Sequence, residues 1–166
     1  MAHAQRHISD AELLWKKIKG IHVAMLTTTE ADGTLRSRPM IAPERKFDGD
    51  LWFLTVETAP KVEQVQQHQQ VNICFVKPDE TLFISMSGTA ELLHDQHMVK
   101  KLWKPAYQDW LPQGPDDPTI GLLKVHVESA EYWDAPNRKM GGLSFLTKGG
   151  GKGPEQINED IKLNMH

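Results

Sequence analysis

The sequence has very little cysteine, with Cys74 as the single thiol among 166 residues. One thiol excludes an internal disulfide framework and any metal site built from several thiolates, so packing and self-association have to stabilise the chain. Positive charge is also scarce, because 19 Lys and Arg face 22 Asp and Glu, which gives a net charge of −3. Broad nucleic-acid surfaces carry a basic excess, so we expect no nucleic-acid partner.

Long apolar runs are missing as well. No stretch approaches the ~20 apolar residues of a membrane-spanning helix, and the polar start MAHAQRHISD lacks an apolar core for secretion. We therefore predict a cytoplasmic protein without membrane association, and we find no metal-ligand spacing. The 39% apolar content is typical of one globular domain. We assign residues 1–140 to this domain and the glycine-rich residues 141–166 to a flexible tail.

Turn and cap residues divide the chain into short strands and a few helices. Ser9 is placed to cap a first helix, and the turn ADGT joins IHVAMLTTT to the return strand TLRSRPMIA. Pro60 begins a second, amphipathic helix, and helical periodicity returns over residues 94–103. Further strands are predicted at LWFLTV, VNICFV, TLFISMSGTAELL and LLKVHVESAEYWD. Five or six strands joined by short turns predict a mainly β fold, a closed or partly closed antiparallel barrel with peripheral helices.

The segment RSRPM carries the most informative charges. Arg36 and Arg38 fall on one face of a strand, where like charges repel unless an anion lies between them. Pro39 removes a backbone donor, which indicates a strand edge or a bulge. Thr58 and Lys61 flank a helix start, where free amides and the helix dipole favour a phosphate. The pattern fits an anion site with an aromatic neighbour, or a solvated face with ordinary salt bridges.

Several of these segments follow one another in a recognisable order. AMLTT, DGTLRSRPM, LWFLT, TAPKVEQVQQHQQVNICF, FISMSGTAELL and AEYWD all occur between Ser9 and Asp134. In this combination the chain resembles the pyridoxamine 5′-phosphate oxidase-like split-barrel flavoprotein superfamily, in particular its general stress protein subgroup. The resemblance implies a split β-barrel and a homodimer that binds FMN, or FAD, in grooves between the two subunits.

The resemblance also implies which residues hold the flavin. In one subunit these are Arg36, Ser37, Arg38, Pro39, Met40, Trp52, Phe53, Leu54, Thr55, Thr58 and Lys61. From the second subunit we expect Ser85 and Ser87 near the flavin, with Trp133 as a further wall.

The phosphate corner departs from the usual pattern of the family. Where relatives often have Ser-Arg-Lys, this chain has Ala59, Pro60 and Lys61. We therefore expect Thr58 to replace the missing hydroxyl, and Arg36 or Arg38 to supply the missing positive charge.

In function, the resemblance implies a flavin-dependent oxidoreductase or flavin reductase, in which a nicotinamide or another small organic donor delivers hydride to FMN. A non-catalytic flavin-binding module active in stress stays open, as does a barrel that holds haem or a deazaflavin. Pyridoxamine phosphate oxidase activity is not expected, because Arg138 is the only arginine beyond Trp133. We assign no catalytic residue. Trp103, Trp110 and Trp133 favour a dimer interface, with core packing as the alternative.

Overall fold

An antiparallel sheet dominates the computed structural model, which describes residues 9–134 and 161–164. Its strands are β1 (Val23–Thr29), β2 (Leu35–Ile41), β3 (Asp50–Val56), β4 (Gln70–Lys77), β5 (Leu82–Leu93), β6 (Ile120–Asp134) and β7 (Ile161–Asn164). Within the described residues their order is β2-β1-β4-β5-β6-β3, and β7 pairs with β6. The sheet curls into a six-stranded half-barrel, which confirms the predicted mainly β, split-barrel fold.

The predicted helices form as α1 (Asp10–Ile18), α2 (Pro60–Gln67) and α3 (Gln96–Leu102). Ser9 caps α1, because its hydroxyl oxygen accepts a hydrogen bond from the Glu12 amide at 3.3 Å. Pro60 occupies the first turn of α2, where its missing N–H costs nothing. Two short 3-10 turns follow β4 and α3, and we call the second, Pro105–Asp109, the aromatic turn. None of the helices in the described part of the chain is long and apolar enough to span a membrane.

Two hydrophobic cores lie on opposite faces of β3. The main core fills the inner face of the half-barrel and includes Phe53, Met40 and residues of α1. A smaller core contains Leu54 and Tyr107 and lies under α3 and the aromatic turn. Because apolar residues cover β3 on both sides, its sequence LWFLTV shows no polar alternation.

Strand alternation gives the sheet a second face, turned away from the main core, which we call the outer face. On it, Thr27 of β1 lies opposite Ser37 of β2 and Asn72 of β4, and Asn72 lies opposite Ser87 of β5. This polar row crosses four strands. Four residues before Thr27, at the start of β1, the outer face is apolar, since Val23 pairs with Ile41.

The predicted flexible tail, residues 141–166, lies outside the described residues except for β7. Ile161–Asn164 pairs antiparallel with the second half of β6, between Tyr132 and Ser129. The sequence did not predict this strand, because four residues between glycine-rich and terminal segments carry too little periodicity.

Candidate functional site

Arg38 is held in one orientation by two uncharged side chains. Its Nη1 donates to Thr28 Oγ1 at 2.5 Å, and its Nη2 donates to Gln64 Oε1 at 2.8 Å. The Thr28 hydroxyl in turn donates to the same Gln64 oxygen at 2.7 Å. Thr28 and Gln64 are both buried, so β1 and α2 fix the guanidinium from two sides. Because neither partner is charged, these two hydrogen bonds do not neutralise the positive charge of Arg38.

Lys61, in the first turn of α2, lies close enough to Arg38 to feel its charge. Burial lowers the pKa of Lys61, and repulsion from Arg38 lowers it further. Burial also lowers the pKa of Arg38, the charge of Arg36 lowers it further, and the charge of Glu30 acts in the opposite direction. Among the described residues no carboxylate forms an ion pair with Arg38 or Lys61. We call these two residues the cation pair; a bound anion would relieve their repulsion.

The rest of the RSRPM segment divides between two faces, as alternation predicts. Arg36 shares the inward-facing set with Arg38 and Met40, but its side chain is 65% exposed and pairs with Glu30 at 3.5 Å. Met40 is buried in the main core. Ser37 lies on the outer face, and its hydroxyl is 2.6 Å from that of Thr27. Pro39, two residues further along the same face of β2, is exposed. Only Arg38 therefore contributes a half-buried, uncompensated charge from this segment.

The predicted residues of β3 are less accessible than the sequence suggested. Phe53, Leu54 and Thr55 are buried, so their side chains are closed to a ligand and a contact would use the strand backbone. Trp52 is half-buried, with the Arg45 guanidinium 4.6 Å from its ring centroid. Thr58 is exposed three residues before Lys61, and it stays a candidate for the missing hydroxyl.

Ser85 and Ser87 lie on the outer face, away from the cation pair. Both hydroxyls accept hydrogen bonds from Asn72 Nδ2, at 2.8 and 3.1 Å. Their strand, β5, is three strands from the strand that carries Arg38, which is roughly 14 Å across the sheet. Trp133 is half-buried on β6 opposite Phe83. These three predicted residues do not join the cation pair within one chain, so the prediction that they contact the flavin requires a second subunit.

The sequence did not reveal the side chains that position the predicted site residues. Thr28 and Gln64 hold Arg38, and Asn72 holds both serines. Asn72 had a detectable signal, since it is a polar residue in the otherwise apolar VNICFV. Gln64 had none, because the run QVQQHQQ contains five glutamines and only the three-dimensional fold selects one for burial.

Comparisons with known proteins identify relatives of this chain. One curated relative is the protein bli-3 of Neurospora crassa, which is 27% identical over an alignment of 136 residues that covers 76% of this chain. The chain spans 65% of the length of that relative.

Two solved structures share the fold. A general stress FMN/FAD binding protein of Xanthomonas citri is 30% identical, with a TM-score of 0.65, 80% of this chain covered and 94% of that one. A Clostridium acetobutylicum protein related to general stress protein 26 is 22% identical, with a TM-score of 0.65, 76% of this chain covered and 91% of that one.

The family assignment rests on the extent of the sequence match. The sequence model of the family described as pyridoxamine 5′-phosphate oxidase like matches residues 9–155, which include every predicted site residue. The described part of that match, residues 9–134, forms the half-barrel that carries the cation pair. This chain is therefore a member of the pyridoxamine 5′-phosphate oxidase like family.

Proposed function

We propose that the chain binds FMN by its phosphate group, with FAD as the second candidate, at the cation pair of Arg38 and Lys61. The observation that carries this proposal is the pair itself: two half-buried cations that lie close together and form no ion pair with a carboxylate among the described residues. Natural chains retain such electrostatic strain chiefly at functional sites. The Xanthomonas citri relative described as FMN/FAD binding supports a flavin as the ligand.

The chemistry of the pair fits a phosphate monoester. Such a group carries about −1.5 to −2 charges at pH 7 and offers three acceptor oxygens. Arg38 uses two of its five N–H donors on Thr28 and Gln64, so three are left for the ligand. Lys61 adds a compact point charge at the start of α2. The residues therefore fit the phosphate in charge and in hydrogen-bond capacity.

A titration that compares FMN with riboflavin tests the proposal. We expect FMN to bind at least about 100-fold more tightly, since about 3 kcal/mol is a modest value for a doubly contacted phosphate. The measurement is the change in flavin absorbance and fluorescence when each ligand is added to flavin-free protein at low salt. Equal affinity for both ligands, or no response to either, would exclude the cation pair as a flavin phosphate site.

For the bound flavin we propose an oxidoreductase role, in which a nicotinamide or another small donor supplies a hydride. Hydride acceptance is the chemistry that a bound flavin would supply, and the chain's part would be to hold the flavin phosphate at Arg38 and Lys61 and so orient the ring. Anaerobic mixing of the FMN-loaded protein with NADH or NADPH separates the possibilities. Rapid bleaching of the flavin absorbance supports the reductase, whereas a flavin that stays oxidised identifies a binding module. A cytoplasmic location remains a prediction from the sequence.

We also propose a homodimer joined through the outer face. Met25, Leu35 and Val76 are apolar, exposed and on strands that neighbour one another in the sheet. An exposed apolar surface of this kind marks an interaction site. A second copy is the occupant that we favour, because Ser85 and Ser87 lie on the same face and only a second subunit could bring them to the flavin.

Light scattering is expected to give twice the chain mass at micromolar concentration. Met25→Lys is expected to shift the protein towards monomer, because it places a charge among the apolar side chains of the outer face. Gln66→Lys, on the exposed side of α2, adds the same single charge and is the control that leaves the mass unchanged. A wild-type monomer at that concentration would remove the two-subunit site.

A further inference from the structure

The side chains of Arg36 and Arg38 both lean along the sheet towards the turn that joins β1 to β2. In the register of these two strands, Arg38 lies opposite Leu26. Its guanidinium nevertheless bonds to Thr28, which is the register partner of Arg36. The Arg36 guanidinium in turn pairs with Glu30, two residues beyond Thr28. Each positive group is therefore shifted by one same-face step towards the turn.

This common lean keeps the two guanidinium groups at about the spacing of their α carbons. Residues two apart on a strand are separated by roughly 6.5 Å, so Arg36 carries the next positive charge along this face from Arg38. After burial, the charge of Arg36 is the second cause that lowers the pKa of Arg38. In the other direction, the next residue on the face is Met40, which is buried in the main core. Along β2, the cation pair therefore has apolar core on one side and Arg36 on the other.

Glu30 is the acid of the β1–β2 turn that acts on both arginines. It pairs with Arg36 through a single contact of 3.5 Å, and its charge raises the pKa of the second arginine against the effects of burial and of Arg36. The turn fixes its backbone, because the Glu30 amide donates to the Thr34 carbonyl at 2.7 Å and the Gly33 amide donates to the Glu30 carbonyl at 2.9 Å. The other acid of the turn, Asp32, accepts hydrogen bonds from the amide and the hydroxyl of Thr34 instead.

A phosphate monoester and a pyrophosphate make different demands on these groups. A monoester needs only Arg38 and Lys61, and it leaves the ion pair of Arg36 with Glu30 intact. The second phosphate of a pyrophosphate is joined to the first through one oxygen, and Arg36 is the next cation available to it along β2. Its binding to Arg36 would break the ion pair and leave the Glu30 carboxylate close to another anion. Like charges that lie close together repel, so Glu30 disfavours a second phosphate.

We propose that Glu30 and Arg36 make the site selective for FMN, a phosphate monoester, over FAD, a pyrophosphate. Glu30 keeps Arg36 occupied and adds a negative charge where a second phosphate requires a positive one. This proposal rests on the proposed flavin site, because it assumes that the flavin phosphate lies at the cation pair. One carboxylate in the β1–β2 turn, rather than the cations that hold the phosphate, then determines which flavin the chain accepts.

Titration of FMN and FAD into the full-length, flavin-free protein at low salt tests the proposal. For the wild type we expect FMN to bind at least about fivefold more tightly than FAD. Glu30→Gln keeps the size of the side chain and removes its charge. We expect this variant to shift the ratio of the two dissociation constants towards FAD by about fivefold or more, because FAD gains Arg36 and the repulsion is lost. The change in flavin absorbance measures both constants.

Two further variants separate the arginine from the carboxylate and the site from the rest of the surface. The double variant Glu30→Gln, Arg36→Ala is expected to lose the gain in FAD affinity, because the second phosphate then has no cation to bind. Glu80→Gln is the matched control, since Glu80 forms an exposed ion pair with Lys77 in the short turn between β4 and β5. It removes the same charge away from the cation pair, and the ratio should stay within about twofold of the wild type.

The proposal is overturned if the wild type binds FAD as tightly as FMN, if Glu30→Gln leaves the ratio unchanged, or if the double variant keeps the gain. Riboflavin distinguishes this failure from a failure of the flavin site. If FMN binds no more tightly than riboflavin, the phosphate site and the selectivity are both lost. If FMN is preferred over riboflavin and the ratio in Glu30→Gln equals that of the wild type, only the selectivity role is wrong. Binding of FMN by each variant shows that the variant is folded.

Discussion

Arg38→Ala is expected to raise the dissociation constant of FMN by roughly 30-fold to 4,000-fold, which corresponds to about 2–5 kcal/mol. Arg38 is the one arginine of the RSRPM segment that is both half-buried and unpaired with a carboxylate. Its removal leaves the phosphate with Lys61 as its main positive contact. The measurement is titration of FMN into the flavin-free variant, followed by flavin fluorescence.

Arg36→Ala is the matched control for this substitution. Arg36 is two residues away on the same face, but it is exposed and already paired with Glu30, so its loss should cost less than about 1 kcal/mol of FMN binding. Gln64→Met removes one of the two side chains that hold Arg38, and we expect an intermediate effect of about tenfold. Riboflavin affinity should be unchanged in all three variants. A larger loss for Arg36→Ala than for Arg38→Ala would show that the phosphate lies at the exposed end of the strand.

Lys61→Met separates loss of binding from loss of fold. The pKa of Lys61 is lowered in the folded chain. At pH values just below the ordinary lysine pKa of about 10.4, the unfolded chain therefore binds more protons than the folded chain. In that pH range the free energy of unfolding of the flavin-free protein rises with pH. The variant should lose this rise, match or exceed the wild-type stability near neutral pH, and still bind FMN poorly. Urea unfolding at pH 7 and pH 10 measures both effects. A flavin-free variant that is less stable than the flavin-free wild type at pH 7 would contradict the repulsion between Lys61 and Arg38.

Gly88→Ala is expected to lower the free energy of unfolding by about 3 kcal/mol or more. A β carbon at this position would lie 1.9 Å from the carbonyl oxygen of His126, which is backbone and cannot rotate away. The register of β5 against β6 shifts between Ser87 and Gly88, so the two strands approach closely at a bulge. Relief of the clash requires the strands to separate, which would also displace Ser87. Chemical denaturation of wild type and variant measures the loss.

Gly33→Ala is the control for the effect of glycine removal itself. Gly33 has a φ of +85° in the β1–β2 turn and open space around its α carbon, so alanine there should cost only about 1–2 kcal/mol of backbone strain. Gly88→Ala must be clearly the more damaging of the two. If it unfolds within about 1 kcal/mol of wild type, the close approach of β5 and β6 is not required for folding.

Local chemistry made most of the fold predictable. Ser9, Pro60 and the ADGT turn act on their immediate neighbours, so the sequence alone placed α1, α2 and the first hairpin correctly. Period-two alternation likewise put Arg36, Arg38 and Met40 on one face. The alternation does not indicate, however, how deeply each side chain is buried. The exposure of Arg36 and the burial of Met40 depend on how far the sheet curls, which no local pattern encodes.

The candidate site was predictable only in part, because its geometry depends on contacts between distant segments. Gln64 reaches Thr28 and Arg38 across 36 and 26 residues of sequence. The sequence therefore indicated which residues carry the positive charge, but not which neutral side chains hold the Arg38 guanidinium in its orientation. Phe53 and Leu54 show the same limit. Each fills a different core, and the second core exists only because α3 and the aromatic turn fold back over β3.

The position of β3 at the end of the sheet has a consequence for how the polypeptide is made. Within the part of the chain that the structure describes, β3 forms its ladder with β6 alone, from Val56 opposite Ile120 to Asp50 opposite His126. More than sixty residues must leave the ribosome after β3 before its first partner is available, and contacts of such high sequence separation form slowly. During that interval its apolar residues are exposed to chaperones and to neighbouring nascent chains. Correct folding during synthesis thus depends on β6, which is made late and pairs with β3, a strand that is otherwise unpaired and prone to aggregate.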